Sequence, residues 1–319
     1  MRILALLLFA LLAQAARAED DALAWLQRMH AATQKLSYTG TFVYRSGDQS
    51  ETSRIVHVVG QYGIRERLET LEGYPREIVR DGDEVKCYLP DRMTVKVDKQ
   101  TDYKFFPGLL PENLQDISAH YQASTGEVER IAGYDSRAIV LQPKDGLRYG
   151  RKLWADMKTG MLLKSQTFDD KNAPIEQFAF TQITIGGKIG DEQLKPRLLA
   201  RARVWHIENS GAVVANLAAS GWTIKAQMPG FKKMTEMKRT QGGSAKIGHV
   251  IYSDGLAAMS VFIEPMANKT WLPPAGLSRQ GAINIYSRQI ADHLVTVVGE
   301  TPAESVKTLG ESVEYRAPR

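Results

Sequence analysis

The sequence predicts an α+β protein in two parts: a wide, curved antiparallel sheet wrapped around helices, then a smaller antiparallel sheet carrying one terminal helix. Three observations carry this. Tight-turn pairs such as Asp81-Gly82, Asp145-Gly146 and Asp254-Gly255 recur along the chain, each between two extended runs. Helical periodicity is confined to a few short stretches. A chain of 319 residues is also long for one core.

Hydrophobic content of 43% and charged content of 24% are those of an ordinary globular protein. The start is different. Arg2 precedes an apolar run from Ile3 to Ala13, and Ala16-Arg17-Ala18 supplies small residues at the cleavage-determining positions. Residues 1–18 therefore read as a signal peptide, too short to span a bilayer as a helix. Its removal takes two arginines from a formal charge of +5, leaving a mildly basic chain starting at Glu19. No cysteine follows the apolar run and no second stretch reaches ~18 apolar residues, so a soluble mature protein without a lipid anchor is expected. The single cysteine, Cys87, excludes an internal disulfide and reads as a small buried side chain in a strand.

From Asp21 to Leu36, Leu23, Leu26 and Met29 recur at helical spacing, with Trp25 and Ala32 widening the apolar face. Strands follow at Tyr38 to Tyr44, Thr52 to Val59, Ile64 to Leu71, Glu77 to Arg80, Glu84 to Leu89 and Met93 to Val97. The rhythm breaks at Phe105-Phe106-Pro-Gly-Leu-Leu110, followed by a short helix from Pro111 to Ala119. Strands resume at Glu127 to Ile131 and Arg137 to Leu141. The hairpin Leu147 to Phe168, turning at Asp156 to Gly160, comes next, and Ile175 to Ile185 closes the series. Consecutive hairpins give an all-antiparallel sheet, because parallel pairing needs crossover helices. About ten strands with two helices to cover them predict an incomplete barrel whose concave side is only partly filled, leaving room for a ligand.

Residues 19–185 thus form the first domain. Residues 186–203, with Gly186-Gly187, Gly190 and Pro196 among basic side chains, read as a solvated linker. Residues 204–319 form the second domain. Its strands are expected at Trp222 to Gln227, Lys232 to Arg239, His249 to Ser253, Ala258 to Glu264, Ala282 to Ser287 and Leu294 to Val298. Thr301-Pro-Ala-Glu304 reads as a capping box before a helix with Ala303, Val306 and Leu309 as its apolar stripe.

Catalytic chemistry is not visible. Six histidines are scattered singly, with no second metal ligand at zinc-site spacing, so no metal site is expected. No nucleophile elbow, phosphate-binding loop or Cys-x-x-Cys occurs, and Tyr252-Ser-Asp-Gly255 reads as a turn rather than a serine nucleophile. No enzyme, no cofactor and no nucleic-acid partner are expected. Arg65, Arg67, Arg76 and Arg80 cluster along the early strands. They form either a solvated sheet face or a shelf for anionic head groups, which arginine binds through paired hydrogen bonds.

With these residues in hand, the chain resembles the RseB/MucB family of periplasmic regulators, and the MucB branch more closely. The likeness rests on Leu26-x-x-Met29, Tyr38-Thr-Gly-Thr-Phe42, Gly73-Tyr-Pro-Arg-Glu77 with Arg80-Asp-Gly82, Arg148-Tyr149 and Trp154-x-Asp156. Glu176-x-Phe178, Pro229-Gly-Phe231, Tyr252-Ser-Asp-Gly-Leu256 and Val298-Gly-Glu300-x-Pro302 extend it over the mature chain. The resemblance implies a half-barrel similar to the lipoprotein carriers LolA and LolB, followed by a smaller domain. It further implies binding to the periplasmic part of a membrane-spanning anti-sigma factor of the MucA/RseA kind. The partner would be shielded from site-1 proteolysis until lipid or lipopolysaccharide releases the regulator, with alginate production among the outputs in the MucB branch. A periplasmic lipid or lipoprotein carrier is the alternative, although a carrier has little use for a second structured domain.

Two sets of site residues follow as expectations. Phe42, Tyr44, Phe105, Phe106, Leu109 and Trp154 should border the acyl-chain pocket. The second domain should carry most of the partner contact, through Tyr252, Asp254, Gly255 and Trp271, with Trp222 and Phe231 as further aromatic anchors or plain core. The sequence leaves open the lipid's identity, the residues that contact the partner, the orientation of the two domains and the oligomeric state, a homodimer included.

Overall fold

The computed structural model describes residues 21–61, 63–99, 115–201, 204–209, 211–241, 245–267 and 273–317. The expected signal peptide, Phe105, Phe106, Leu109 and Trp271 lie outside the described residues. Helix α1 (residues 21–35) opens the chain. A meander of β1 (Tyr38–Ser46), β2 (Gln49–Gly60), β3 (Gly63–Thr70), β4 (Glu77–Asp81), β5 (Glu84–Leu89) and β6 (Thr94–Lys99) follows. After α2 (Gln115–His120) come β7 (Tyr121–Ile131), β8 (Tyr134–Pro143), β9 (Gly150–Asp156), β10 (Leu162–Phe168) and β11 (Pro174–Ile185). All eleven strands join one antiparallel sheet in which β1 pairs with both β2 and β11, so the two meanders meet at the middle. Register shifts at Thr41/Phe42, Leu162/Lys164 and Thr125/Val128 mark bulges, which bend strands and raise their twist.

A twelfth strand departs from the sequence expectation. β12 (His206–Asn209) adds to the far edge beside β6, and it does so in parallel. Residues 193–198 of the linker help to make this pairing possible, because they are held against the sheet. Arg67 and Glu77, both buried, form an ion pair of 3.0 Å. Glu77 Oε2 accepts the backbone N–H groups of Arg197 and Leu198 at 2.8 and 2.9 Å, and Arg67 Nε donates to the Gln193 carbonyl at 2.6 Å. Laid across β3 and β4 in this way, the chain reaches the open edge travelling in the same direction as β6.

The second part contains β13 (Val213–Val214), β14 (Trp222–Ile224), β15 (Lys232–Gln241), β16 (Ala245–Ser253), β17 (Ala258–Pro265), β18 (Gly276–Gln280), β19 (Ile283–Ile290), β20 (His293–Gly299), α3 (Ala303–Glu311) and β21 (Val313–Tyr315). Seven strands form one sheet in the order β13-β15-β16-β17-β20-β19-β18, while β14 and β21 pair separately. Val250, Val261 and Val297 share one face and pack with Val306 and Leu309 of α3, and Trp222 and Phe231 belong to the same core. Those two aromatics are therefore packing residues. The capping box is not formed: Pro302 occupies the N-cap position, so Thr301 sits one residue too early to cap, and no side-chain cap bond is made.

α1 buries Ala22, Trp25, Leu26 and Met29 against β7 to β10 together with Ile117 of α2. Its seat is the turn between β9 and β10. Gly160 (φ +77°) lets the chain pass under Arg28, whose carbonyl would lie 3.0 Å from any Cβ there. The helices thus cover the β7–β10 end and leave the inner face of β1 to β5 for the cavity described next. No described helix is long and apolar enough to cross a membrane.

Candidate ligand cavity and the seam between the two sheets

In a strand, alternate side chains share a face, and the inner face of β1 to β5 collects Phe42, Ile55, Leu68, Ile78 and Val85. With Phe178 of β11 they wall a cavity of about 490 Å³. The Phe42 ring meets that of Phe178 at a tilt of 54°, with 4.8 Å between ring centres. Gly40 is required here, since a Cβ would lie 2.7 Å from the Phe180 ring.

Charged groups ring this apolar wall. Arg76 Nη2 is 3.0 Å from Glu51 Oε1, and Arg80 Nε is 3.4 Å from Glu66 Oε2. The other Glu66 oxygen meets His57 Nδ1 at 2.7 Å. Tyr44, cross-strand partner of Glu51, lines the cavity too, as do Arg151, Glu176 and Glu300. Burial, and then the adjacent Glu176 carboxylate, push the Tyr44 phenol well above its ordinary pKa. Burial and Glu176 also raise the Glu300 carboxyl, while Arg151 opposes the shift.

Of the residues expected at the pocket, Phe42 and Tyr44 line it. Trp154 does not. It alternates with inward-facing Leu153 and Ala155, points to the outer face, donates to Glu129 at 2.9 Å and is flanked by the ammonium groups of Lys152 and Lys164. The expected arginine shelf is split by the same alternation. Arg76 and Arg80 reach the cavity, each already paired with a glutamate. Arg67 is consumed by the linker contact, and Arg65 faces Asp191 of the linker at 3.0 Å. Cys87 is partly buried, and burial raises its thiol pKa, as for an unreactive side chain. Among the described residues no group of His, Cys, Asp and Glu is placed to hold a metal ion.

The turn expected to meet a partner lies inside the molecule instead. Asp254 Oδ1 accepts the N–H groups of Leu256 and Ala257 at 2.9 and 2.7 Å, which shapes the turn around Gly255 (φ +94°). Its other oxygen points into the first part, 3.1 Å from the Tyr121 hydroxyl and 3.3 Å from Arg148 Nε. Leu256 enters the core beneath α1. Arg148 also donates to the Pro229 carbonyl at 2.5 Å and lies over the Phe231 ring. Tyr252 stays half-buried at the margin of the second core. Turns usually lie at the surface, but this one is covered by a second sheet.

Family models supply the context. The model described as the MucB/RseB N-terminal domain matches residues 21–198, and that of the MucB/RseB C-terminal domain matches residues 216–314. The chain belongs to the MucB/RseB family. It is 31% identical to the sigma factor AlgU regulatory protein MucB of Pseudomonas aeruginosa, over 98% of this chain and 97% of that protein. It is 24% identical to the sigma-E factor regulatory protein RseB of Haemophilus influenzae, over 99% and 98% respectively. Among solved structures, the Pseudomonas aeruginosa MucA/MucB complex aligns with a TM-score of 0.72 at 28% identity, covering 93% of this chain and all of that one. MucB in complex with MucA(peri) aligns with a TM-score of 0.70 at 28% identity, again over 93% of this chain and the whole of the other. Several sequence anchors of this MucB/RseB member, Arg148-Tyr149, Pro229-Gly-Phe231, Tyr252 to Leu256 and Glu300, converge on the seam between the two sheets or on the cavity beside it.

Proposed function

We propose that this chain is a periplasmic negative regulator of envelope-stress sigma factor signalling. It binds the periplasmic part of a membrane-spanning anti-sigma factor, shields it from site-1 proteolysis, and is released when a lipid or lipopolysaccharide occupies the cavity. The observation that carries the reading is the end-to-end likeness to MucB, both parts included, at a TM-score of 0.72 to a chain solved with MucA. The residues at the seam fit a binding protein rather than an enzyme: their polar groups are spent on holding two sheets together. The cavity suits acyl chains, with an apolar wall and a charged mouth.

Within this reading the second part carries most of the partner contact. Tyr252 remains its candidate anchor, and Asp254 and Gly255 act by shaping the seam. Calorimetric titration of the partner's periplasmic segment into the mature chain tests the binding. Tyr252→Ala is expected to weaken it about thirtyfold, matching ~2 kcal/mol for a buried aromatic anchor, with an unchanged thermal midpoint. Full-strength binding by that variant removes Tyr252 from the interface, and no binding by the wild type overturns the function.

A further inference from the structure

We propose that Glu300 couples occupancy of the cavity to the contact between the two sheets, and that the effective occupant is an amphiphile with an anionic head group. This rests on the reading that the cavity takes an amphiphile.

Glu300 follows β20 of the second sheet, yet it lines the cavity of the first. Its Oε2 stands 3.9 Å from Arg151 Nη2, a loose pairing, and its side chain is 38% exposed against 6% for Arg151. Glu176 shares the same end of the cavity, so two carboxylates face one guanidinium. A phosphate or carboxylate head group arriving there would form paired hydrogen bonds with Arg151 and repel Glu300, the more weakly held of the two acids. Glu176 is kept in place by the Thr167 hydroxyl, which donates to it at 3.1 Å.

Displacing Glu300 would reach the seam directly. The next residue, Thr301, is buried and accepts a hydrogen bond on its carbonyl from Asn284 Nδ2 at 2.7 Å. Asn284 Nδ2 also lies 2.9 Å from the Tyr149 hydroxyl of the first part. Tyr149 is two residues from Arg151. Ser46, two residues from the cavity-lining Tyr44, accepts the Ala282 N–H on its hydroxyl at 3.0 Å. Residues two apart on an extended segment share a face, so three of the four segments that line this part of the cavity, those of Tyr44, Arg151 and Glu300, also hold the seam. Among the described residues, the Glu300 carboxylate is the one cavity-lining group supplied by the second part.

Amide hydrogen exchange tests the coupling, with calorimetry on the same samples to confirm binding. The probe is a lysophosphatidylglycerol below its micelle concentration, with inorganic phosphate as the head-group-only arm. In the wild type the lipid is expected to speed exchange at Ala282 and over residues 299–305 by fivefold or more, the usual scale of coupling between sites. Phosphate alone is expected to leave it unchanged. In Glu300→Gln, and in Glu300→Ala as a second variant, the lipid should still bind while exchange no longer responds. An unaltered exchange pattern in a lipid-saturated wild type would overturn the coupling, as would variants that respond like the wild type. An equal response to phosphate alone would overturn the amphiphile. Absence of lipid binding to the wild type would overturn the cavity reading and this inference with it.

Discussion

Arg148 and Asp254 face each other across the two sheets at 3.3 Å, with both side chains shut off from solvent. Neither charge has water to turn to, so each depends on the other and on the groups beside them: the Tyr121 hydroxyl for Asp254, and the Pro229 carbonyl and Asp145, at 3.5 Å, for Arg148. Breaking such a pair from one side leaves a buried charge and costs ~3–5 kcal/mol. Asp254→Asn retains the amide oxygen that shapes the turn but removes the charge. Scanning calorimetry is expected to show a lowered midpoint for this variant and separate transitions for the two parts. A single wild-type-like transition would show that the pair does not hold the sheets together.

Glu77 performs the equivalent task for the linker, accepting two backbone N–H groups and the Arg67 guanidinium while fully buried. Glu77→Ala is expected to destabilise by ~3 kcal/mol or more and to free residues 190–198 from the sheet. Limited proteolysis should then cut in that segment well before the strands. Cleavage at the wild-type rate would contradict this account of the linker.

Gly40→Ala places a methyl group 2.7 Å from the Phe180 ring and 2.8 Å from the Gln182 carbonyl. Overpacking of this kind costs ~1–3 kcal/mol. Urea unfolding should show a lower midpoint with an unchanged slope, and a loss under 0.5 kcal/mol would mean that β1 shifts freely to accommodate the methyl.

His249 is buried on the second sheet, stacked on Phe262 at 4.3 Å, and neither ring nitrogen has a hydrogen-bond partner among the described residues. Burial, aided by Arg239, lowers its pKa to about 4. The unfolded chain takes up this proton near pH 6.5, so the neutral ring is harmless above that value. Stability should fall between pH 6.5 and 4 by roughly 2–4 kcal/mol from this residue. His249→Phe is expected to flatten that part of the profile in urea titrations. A variant with the wild-type pH slope would place the acid sensitivity elsewhere.

Much of the sheet was legible because its hairpins announce themselves. Asp81-Gly82 and Asp254-Gly255 each join two strands where the turn chemistry requires them, and α1 shows its buried stripe in Leu26 and Met29. What escaped were short or exposed strands. Val213–Val214 and His206–Asn209 hold no alternation long enough to detect, and the parallel pairing of the latter depends on a linker path set by Arg67 and Glu77. Phe42 and Tyr44 were recognisable as cavity residues because they share one face of β1. Trp154 was misplaced because its neighbours Leu153 and Ala155 take the inner positions. Asp254 reads as part of a surface turn in the sequence, because local chemistry describes the turn and not the sheet laid over it. Glu300 is visible in the sequence only as part of Val298-Gly-Glu300-x-Pro302, since its position at the cavity arises only when the two parts meet.

The measurement closest to the central claim is the rate at which a site-1 protease cuts the anti-sigma factor's periplasmic segment, with and without the mature chain. A saturating amount of the chain is expected to slow cleavage at least tenfold, and addition of an anionic lysophospholipid should restore it. Cleavage at the same rate whether or not the chain is present would contradict the account.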